Sequence, residues 1–421
     1  MAYIALISEH ASPLAAAGSV DSGGQNVYVA QIARQFAAAG HRVDVYTRRD
    51  SPLQPELAEW LPGVRVVHVP AGPAYYLPKE ALLDWMPAFE RYLLRVFARR
   101  PYDVVHANFF MSALAGLPAA RSIGCPLVVT FHALGKVRRQ YQQAADGFPD
   151  RRFAIEEDIV RQADCVIAEC AQDRSDLMTL YDADPARVAI VPCGYDPDEM
   201  RACDMAQARR RLGWRPEGFR VLQLGRLVPR KGVDNVIRAV ARLREDHGVD
   251  ARLCVVGGDG PGEPPSAELR RLRAICDEEG LAGVVEFAGR RARMELADYY
   301  CASDVFVTTP WYEPFGITPL EAMACGRPVV GADTGGIRST VVDGRTGFLV
   351  PPKDPRRLAG RLAVLAADPA LAARMGQAGR LRARRLYTWS RVARDLLAVY
   401  GRLTALPPAR RQAPAAVRAT A

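Results

Sequence analysis

The chain has 421 residues, 49% of them hydrophobic and 24% charged, which excludes disordered, collagen-like and rod-like coiled-coil classes and predicts two or three domains. Lys+Arg number 56 against 47 acids, a net +9, yet only Lys79, Lys136, Lys231 and Lys353 are lysines. Arginine surplus of this kind is a codon habit, and four arginines without an acid fall in residues 402–421, so the charge does not point to nucleic acid. No apolar run reaches the roughly 18 residues a membrane span needs. The start, Met1-Ala-Tyr-Ile-Ala-Leu-Ile-Ser-Glu-His10, reads as a first strand and not as a leader. Nine cysteines without CxxC spacing, several in apolar runs (Cys165, Cys254, Cys301, Cys325), read as reduced core residues of a cytoplasmic protein.

Short β-branched runs alternate with helix-length segments, the signature of an α/β fold. Strands are expected at Tyr3–Ser8, Arg42–Tyr46, Val64–Val69, Val104–His106, Leu127–Thr130, Cys165–Ala168 and Val188–Val191, and helices at Gln25–Ala39 and Leu82–Arg99. These strands are continuously apolar, as in a parallel sheet covered on both faces. After a short helix at Ala206–Leu212 the pattern restarts, with strands at Arg220–Leu224, Ala251–Val256, Val284–Ala288, Val305–Thr308, Pro328–Gly331 and Gly347–Leu349. Helices are expected between and after them at Val233–Arg244, Ala267–Glu279, Ala292–Tyr300, Pro319–Ala324 and Arg356–Ala366. The expectation is two doubly wound, Rossmann-like α/β domains facing across a cleft, spanning 1–200 and 201–386. Ser390 is placed to cap a last helix over 387–405 that returns toward the first domain, followed by a Pro/Ala-rich disordered tail, 406–421.

Four segments carry chemistry. Asp21-Ser-Gly-Gly-Gln-Asn-Val-Tyr28 opens a helix after the first strand, and Gly23 and Gly24 allow close backbone approach to a phosphate. Gly225-Arg-Leu-Val-Pro-Arg-Lys-Gly232 leaves the first strand of the second domain, and Arg226 and Lys231 are spaced to neutralise a departing diphosphate. In Glu313-Pro-Phe-Gly-Ile-Thr-Pro-Leu-Glu321, Thr318 as N-cap, Pro319 at N1 and Glu321 at N3 predict a capping box, which leaves Glu313 free to grip sugar hydroxyls. Thr130-Phe-His132-Ala-Leu-Gly-Lys136 puts a histidine at the carboxyl end of a strand, where ligands bind in this architecture. His10 and His106 are weaker candidates of the same kind. The pairs Asp182/Asp184 and Asp196/Asp198 lie in Pro-flanked turns and read as caps, not as a metal site.

Together these motifs resemble the retaining glycosyltransferases of the two-domain B type (GT-B; glycosyl transferases group 1), the family that contains sucrose-phosphate synthase and the mycothiol-pathway inositol-phosphate N-acetylglucosaminyltransferase. The resemblance covers about residues 3–402, and Ala324-Cys-Gly-Arg-Pro-Val-Val330 and Gly344-Arg-Thr-Gly-Phe-Leu349 agree with it. It implies transfer of a hexosyl group from a nucleotide diphosphate sugar, UDP-linked by preference, to a small hydroxyl acceptor such as a sugar phosphate, without a metal or other cofactor. It implies that His132, Arg226, Lys231 and Glu313 serve catalysis. Gly23, Gly24, Phe315, Gly316, Ile317 and Glu321 would join Arg226 and Lys231 in holding the donor, with Glu321 on ribose, His132 on the hydroxymethyl side of the sugar and the loop Arg290–Met294 around the base. Gln25, Asn26, Lys79, Lys136, Arg151 and Arg152 would line the acceptor side. The chain departs from relatives at His106-Ala-Asn-Phe-Phe110, where many read His-x-His-Tyr-Trp, and at Ala133, where the inositol-phosphate enzyme has Thr. A GDP- or ADP-sugar donor, a lipid-linked or polysaccharide acceptor with peripheral membrane contact, and a non-catalytic nucleotide-sugar binder stay open as alternatives.

Overall fold

The computed structural model describes residues 1–15 and 23–405. Asp21 and Ser22 of the glycine loop and the tail expected over 406–421 lie outside the described residues. The chain divides into two compact units, one built from residues 1–15, 24–191 and 392–405, the other from residue 23 and residues 192–391.

In the first unit the strands are β1 (Tyr3–Ile7), β2 (Arg42–Arg48), β3 (Leu57–Leu61), β4 (Val64–Val69), β5 (Val104–Asn108), β6 (Leu127–Thr130), β7 (Cys165–Ala168) and β8 (Val188–Ile190). They order as β3-β4-β2-β1-β5-β6-β7-β8. All neighbours are parallel except β3, which folds back antiparallel on β4. That edge strand corrects the expectation of a purely parallel sheet. Its Leu-Ala-Glu-Trp-Leu run, flanked by Pro52, Pro55 and Gly63, is partly exposed and lacks the apolar continuity that marks the inner strands. The helices are α1 (Gly24–Ala38), α2 (Met86–Phe97), α3 (Phe110–Ser122), α4 (Gly135–Gln142), α5 (Arg151–Gln162) and α6 (Ala171–Tyr181). The long helix expected from Leu82 begins only at Met86, after two single turns at Lys79–Ala81 and Leu83–Trp85. Helix α3 is apolar on every side and largely buried, so no amphipathic period announces it, and it tolerates Pro118 in its interior.

The second unit begins with α7 (Met205–Arg211) and alternates β9 (Phe219–Leu224), α8 (Val233–Glu245), β10 (Ala251–Val256), α9 (Ala267–Glu278), β11 (Val285–Gly289), α10 (Leu296–Ala302), β12 (Val305–Thr308), α11 (Ile317–Ala324), β13 (Val329–Ala332), α12 (Gly335–Thr340) and β14 (Gly347–Val350). Helices α13 (Pro355–Ala367) and α14 (Pro369–Leu386) follow. The sheet order is β11-β10-β9-β12-β13-β14, all parallel. Val236, Ile237, Val240 and Leu243 of α8 pack with Val221, Leu253, Val255 and Leu362 to form the core on one face.

Helix α15 (Trp389–Ala405) starts with Thr388, whose hydroxyl accepts the Arg391 N–H at 3.4 Å; Ser390, the expected cap, is inside the helix. From Val392 onward it belongs to the first unit, where Tyr400 packs on Phe36 and contacts His106 Nδ1 at 2.6 Å. Cys203 and Cys301, with Cα atoms 5.8 Å apart, form a disulfide, which corrects the reading of Cys301 as a reduced core residue. A pair separated by 98 residues leaves no spacing signal in the sequence.

Candidate active site

In each sheet the strand order reverses once, and the carboxyl ends of the two strands flanking that point open a crevice suited to a ligand. In the second unit these strands are β9 and β12, paired through Val221–Val305 and Leu222–Phe306. The loop after β9 carries Arg226 and ends in a single turn, Pro229–Lys231, closed by Gly232 at φ 65°. A Cβ on Gly232 would stand 2.2 Å from the Thr309 carbonyl oxygen, so only glycine lets this loop lie against the one after β12. The Trp311 N–H then donates to the Arg230 carbonyl at 2.9 Å. Lys353, the remaining lysine of the unit, covers the Trp311 ring at 3.8 Å.

This approach sets Lys231 Nζ in contact with the Glu313 carboxylate, with Arg230 3.7 Å from the same oxygen. Burial works to raise the Glu313 carboxyl, but Lys231, Arg230 and Arg226 outweigh it and hold it below the usual range. Burial also pushes the Lys231 ammonium below its usual range, against the opposing pull of Glu313. One ionised carboxylate thus sits in the positive field of Lys231, Arg230 and Arg226.

Behind Glu313 lies a support that sequence reasoning missed. A Cβ on Gly335 would sit 1.9 Å from the Glu313 carbonyl oxygen, and one on Gly336 would sit 2.2 Å from Phe315 Cα. The Gly336 N–H donates to the Glu313 carbonyl at 3.1 Å. The available signal is the run Asp333-Thr-Gly-Gly336, a glycine pair two residues past a strand. Phe315 is buried, and Gly316, at φ 88°, is the N-cap of α11, whose second residue is Thr318. The expected capping box is therefore corrected: Glu321 is not at N3 but deep in the helix, 2% exposed. It accepts the Tyr300 hydroxyl at 2.9 Å and pairs with Arg293 at 2.9 Å. Arg293 also holds Glu199 at 2.5 Å, and the two carboxylates outweigh burial to raise its guanidinium. In the same loop Arg290 pairs with Glu263 at 3.3 Å, and Met294 is fully displayed to solvent. The Ile317–Gly316 end of α11 leaves first-turn N–H groups without intrahelical acceptors, as any helix start does.

In the first unit the reversal lies between β1 and β5. Gly24 opens α1 directly after Gly23, and Gln25 Nε2 donates to Ser8 Oγ and to the Asn108 carbonyl, both at 3.1 Å. Asn26 Nδ2 donates to the Ser12 carbonyl at 3.0 Å. His132, after β6, has φ 57°, uncommon for a non-glycine residue. Its Nδ1 lies 3.0 Å from Glu169 Oε1 and its Nε2 3.1 Å from Asn108 Oδ1. His106 is fully buried between Tyr400 and Thr130, and burial, aided by His132, pushes it down to about 3; it is a neutral core residue. His10 contacts the buried Glu9 carboxylate at 2.7 Å.

Each of the four cations expected on the acceptor side has a carboxylate neighbour. Lys79 lies 3.9 Å from Glu80. Lys136 turns to Glu157 and to the Leu180 carbonyl, both at 2.6 Å, over the Tyr181 ring. Arg151 pairs with Asp84 at the surface. Arg152 is fully buried, bonded to Glu156 at 2.7 Å and to the Ala133 carbonyl at 2.5 Å, among Phe109, Phe110 and Phe148. Arg152 is held to its carboxylate because burial makes an unpaired charge costly. Asp184 and Asp196 accept backbone N–H groups at 2.9 Å within their turns, as caps do.

The chain matches the family described as Glycosyl transferases group 1 over residues 204–382 and the one described as Glycosyltransferase Family 4 over residues 22–199. It is 40% identical to a D-inositol 3-phosphate glycosyltransferase of Acidothermus cellulolyticus, covering 94% of this chain and 89% of that protein. It is 38% identical to the protein of the same name from Frankia alni, covering 93% and 97%. Among solved structures, sucrose-phosphate synthase from Thermosynechococcus elongatus superposes with a TM-score of 0.89 at 34% identity, covering 96% of this chain and all of that one. Two switch-point crevices on parallel sheets, a cation-ringed glutamate in the second, and this likeness over nearly the whole length lead to one assignment: the chain belongs to the glycosyl transferases group 1 family and is a glycosyltransferase of GT-B fold.

Proposed function

We propose that the chain is a retaining, metal-independent glycosyltransferase that moves a hexosyl group from a UDP-sugar to a small sugar-phosphate acceptor in the cytoplasm, with inositol phosphate as the first acceptor to test. The observation that carries this reading is the ring of Lys231, Arg230 and Arg226 around Glu313 at the switch point of the second sheet. Relatives named D-inositol 3-phosphate glycosyltransferase support the acceptor class.

In the proposed reaction the acceptor hydroxyl attacks the anomeric carbon from the face that the diphosphate leaves. The bond to the diphosphate oxygen breaks, its charge falls to Arg226 and Lys231, and the hydroxyl proton passes to a donor phosphate oxygen. Glu313 holds sugar hydroxyls, Gly24 and the α11 N–H groups at Gly316–Ile317 assist the phosphates, and Phe315 shapes the floor. Glu321 takes the ribose, and Gln25, Asn26 and His132 are the polar groups of the first unit. Within the second unit the three cations and the start of α11 supply the positive field that a divalent ion supplies elsewhere. Among the described residues no helix is long and apolar enough to cross a membrane.

A thermal-shift panel of UDP, GDP and ADP, each with its sugars, tests the donor. A hundredfold excess over Kd of the true nucleotide is expected to raise Tm by ~5–10 °C. An acceptor screen containing inositol and inositol phosphate then tests transfer. Absence of any nucleotide shift together with absence of transfer would sink the proposal. Arg293→Ala is expected to raise the donor KM by roughly tenfold with little change in kcat. It unpins Glu321 without touching the diphosphate clamp, and loss of ground-state binding appears in KM. Steady-state kinetics against donor concentration check it; an unchanged KM would remove Glu321 from the donor site.

A further inference from the structure

His132 is clamped on both sides. Its Nδ1 faces the Glu169 carboxylate, which is only 3% exposed, and its Nε2 faces Asn108 Oδ1. The orientation of the Asn108 amide follows from its other neighbours. Its nitrogen faces the carbonyl oxygens of Ile7 and His106, each at 3.4 Å. Turning the amide over would set its oxygen against both carbonyls and its NH2 against the ring, so the oxygen belongs toward His132. Both ring nitrogens then meet acceptors, and only the imidazolium carries a hydrogen on each.

The surroundings agree with a charged pair at this point. Asp173 of α6 accepts the Glu169 N–H at 2.9 Å. Burial and the neighbouring Glu169 push its carboxyl up to about 8. His106, from β5, is neutral. The edge of Tyr28, from α1, stands 4.8 Å from the ring. His132 itself is fixed in a left-handed backbone conformation, a strain of the kind found at functional sites.

Resting on the transferase reading, we infer that Glu169 is a positioning residue that keeps His132 oriented with a hydrogen on each ring nitrogen, so that His132 stands in the crevice as a fixed cation and does not act as a base. Glu169 escaped the sequence reading because an acid between a strand and a helix looks like an ordinary helix-start residue. The polarity it imposes has a chemical use. A fixed cation favours negative charge on nearby substrate oxygens through its field, and proton removal from the acceptor is then left to the donor phosphate.

The test combines a spectroscopic and a kinetic readout on the full chain. Nitrogen-15 NMR of the histidine side chains at pH 7 is expected to show both His132 nitrogens protonated in wild type and one in Glu169→Gln. Glu169→Asp, which keeps the carboxylate, is expected to restore the second proton. In kcat/KM at pH 7, Glu169→Gln is expected to lose about tenfold and Glu169→Asp to recover most of it. Thermal unfolding of each variant confirms that the comparison is between folded proteins. A wild-type His132 with a single protonated nitrogen, or the same two-proton state in wild type and Glu169→Gln, would overturn the inference. The NMR arm needs no turnover, so it separates failure of this inference from failure of the transferase reading.

Discussion

Lys231→Ala and Glu313→Gln are each expected to lower kcat by ~10²–10³ while leaving the fold intact. On the proposed mechanism the loss is large because both residues act on the group whose charge changes most during transfer. Lys231 stands 17% exposed in a crevice, where its field is little screened, and its loop is fixed by the Gly232–Thr309 approach, so it needs no reorganisation when the diphosphate leaves. Alanine removes that charge and leaves Glu313 with Arg230 at 3.7 Å, enough to keep the carboxylate paired and the loop in place. Glutamine at 313 has the opposite effect on charge: it leaves three cations without their carboxylate, and a site tuned for a sugar hydroxyl beside a diphosphate becomes a site that grips the diphosphate harder. Lys231→Ala should therefore weaken product UDP binding, whereas Glu313→Gln should strengthen it while turnover falls. Steady-state transfer assays and titration with UDP measure the two effects. Wild-type turnover in both variants would dismiss the clamp; UDP affinity moving the same way in both would dismiss the division of labour between the two residues.

The parts of this molecule that were readable in advance are those where one physical demand acts alone. Strands buried on both faces must be continuously apolar, and Val104–Asn108, Leu127–Thr130 and Val305–Thr308 announce themselves for that reason. Glycines that permit backbone contact are similarly legible, as Gly232 shows. Reading fails where two demands share a residue. Thr318-Pro-Leu-Glu321 satisfies the sequence rule for a capping box, yet Gly316 can adopt φ 88° and starts the helix two residues earlier, which carries Glu321 inward to Tyr300 and Arg293. Arg151 and Arg152 look alike in sequence and were grouped as acceptor cations, but neighbours on a helix point about 100° apart. One reaches solvent and Asp84; the other enters the core. Glu169 and the Cys203–Cys301 pair leave no sequence signal because their partners lie far away along the chain, and only folding brings those partners close.

Arg152→Ala is expected to cost ~3–5 kcal/mol of stability, against ~0–1 kcal/mol for Arg151→Ala. The contrast follows from burial. Arg151 and Asp84 are 57% and 78% exposed, so water replaces what the substitution removes. Arg152 and Glu156 are both fully buried, and loss of the guanidinium strands a carboxylate in the interior. Glu156 keeps only the Tyr181 hydroxyl, at 2.5 Å, and the Gly135 N–H, at 2.9 Å, as partners. The three phenylalanine rings around the guanidinium lose their filling as well. Adding Glu156→Gln should recover part of the loss, because the stranded charge disappears while the hydrogen-bond acceptor remains. Activity should fall with stability in Arg152→Ala, since this arginine holds the Ala133 carbonyl next to His132 and Glu156 holds Gly135, where a Cβ would come within 2.8 Å of both side chains. Urea unfolding of the three variants measures the energies. If Arg152→Ala unfolded at the same midpoint as Arg151→Ala, the guanidinium would have to be solvated in the native protein, which would return Arg152 to the set of cations available to an anionic acceptor.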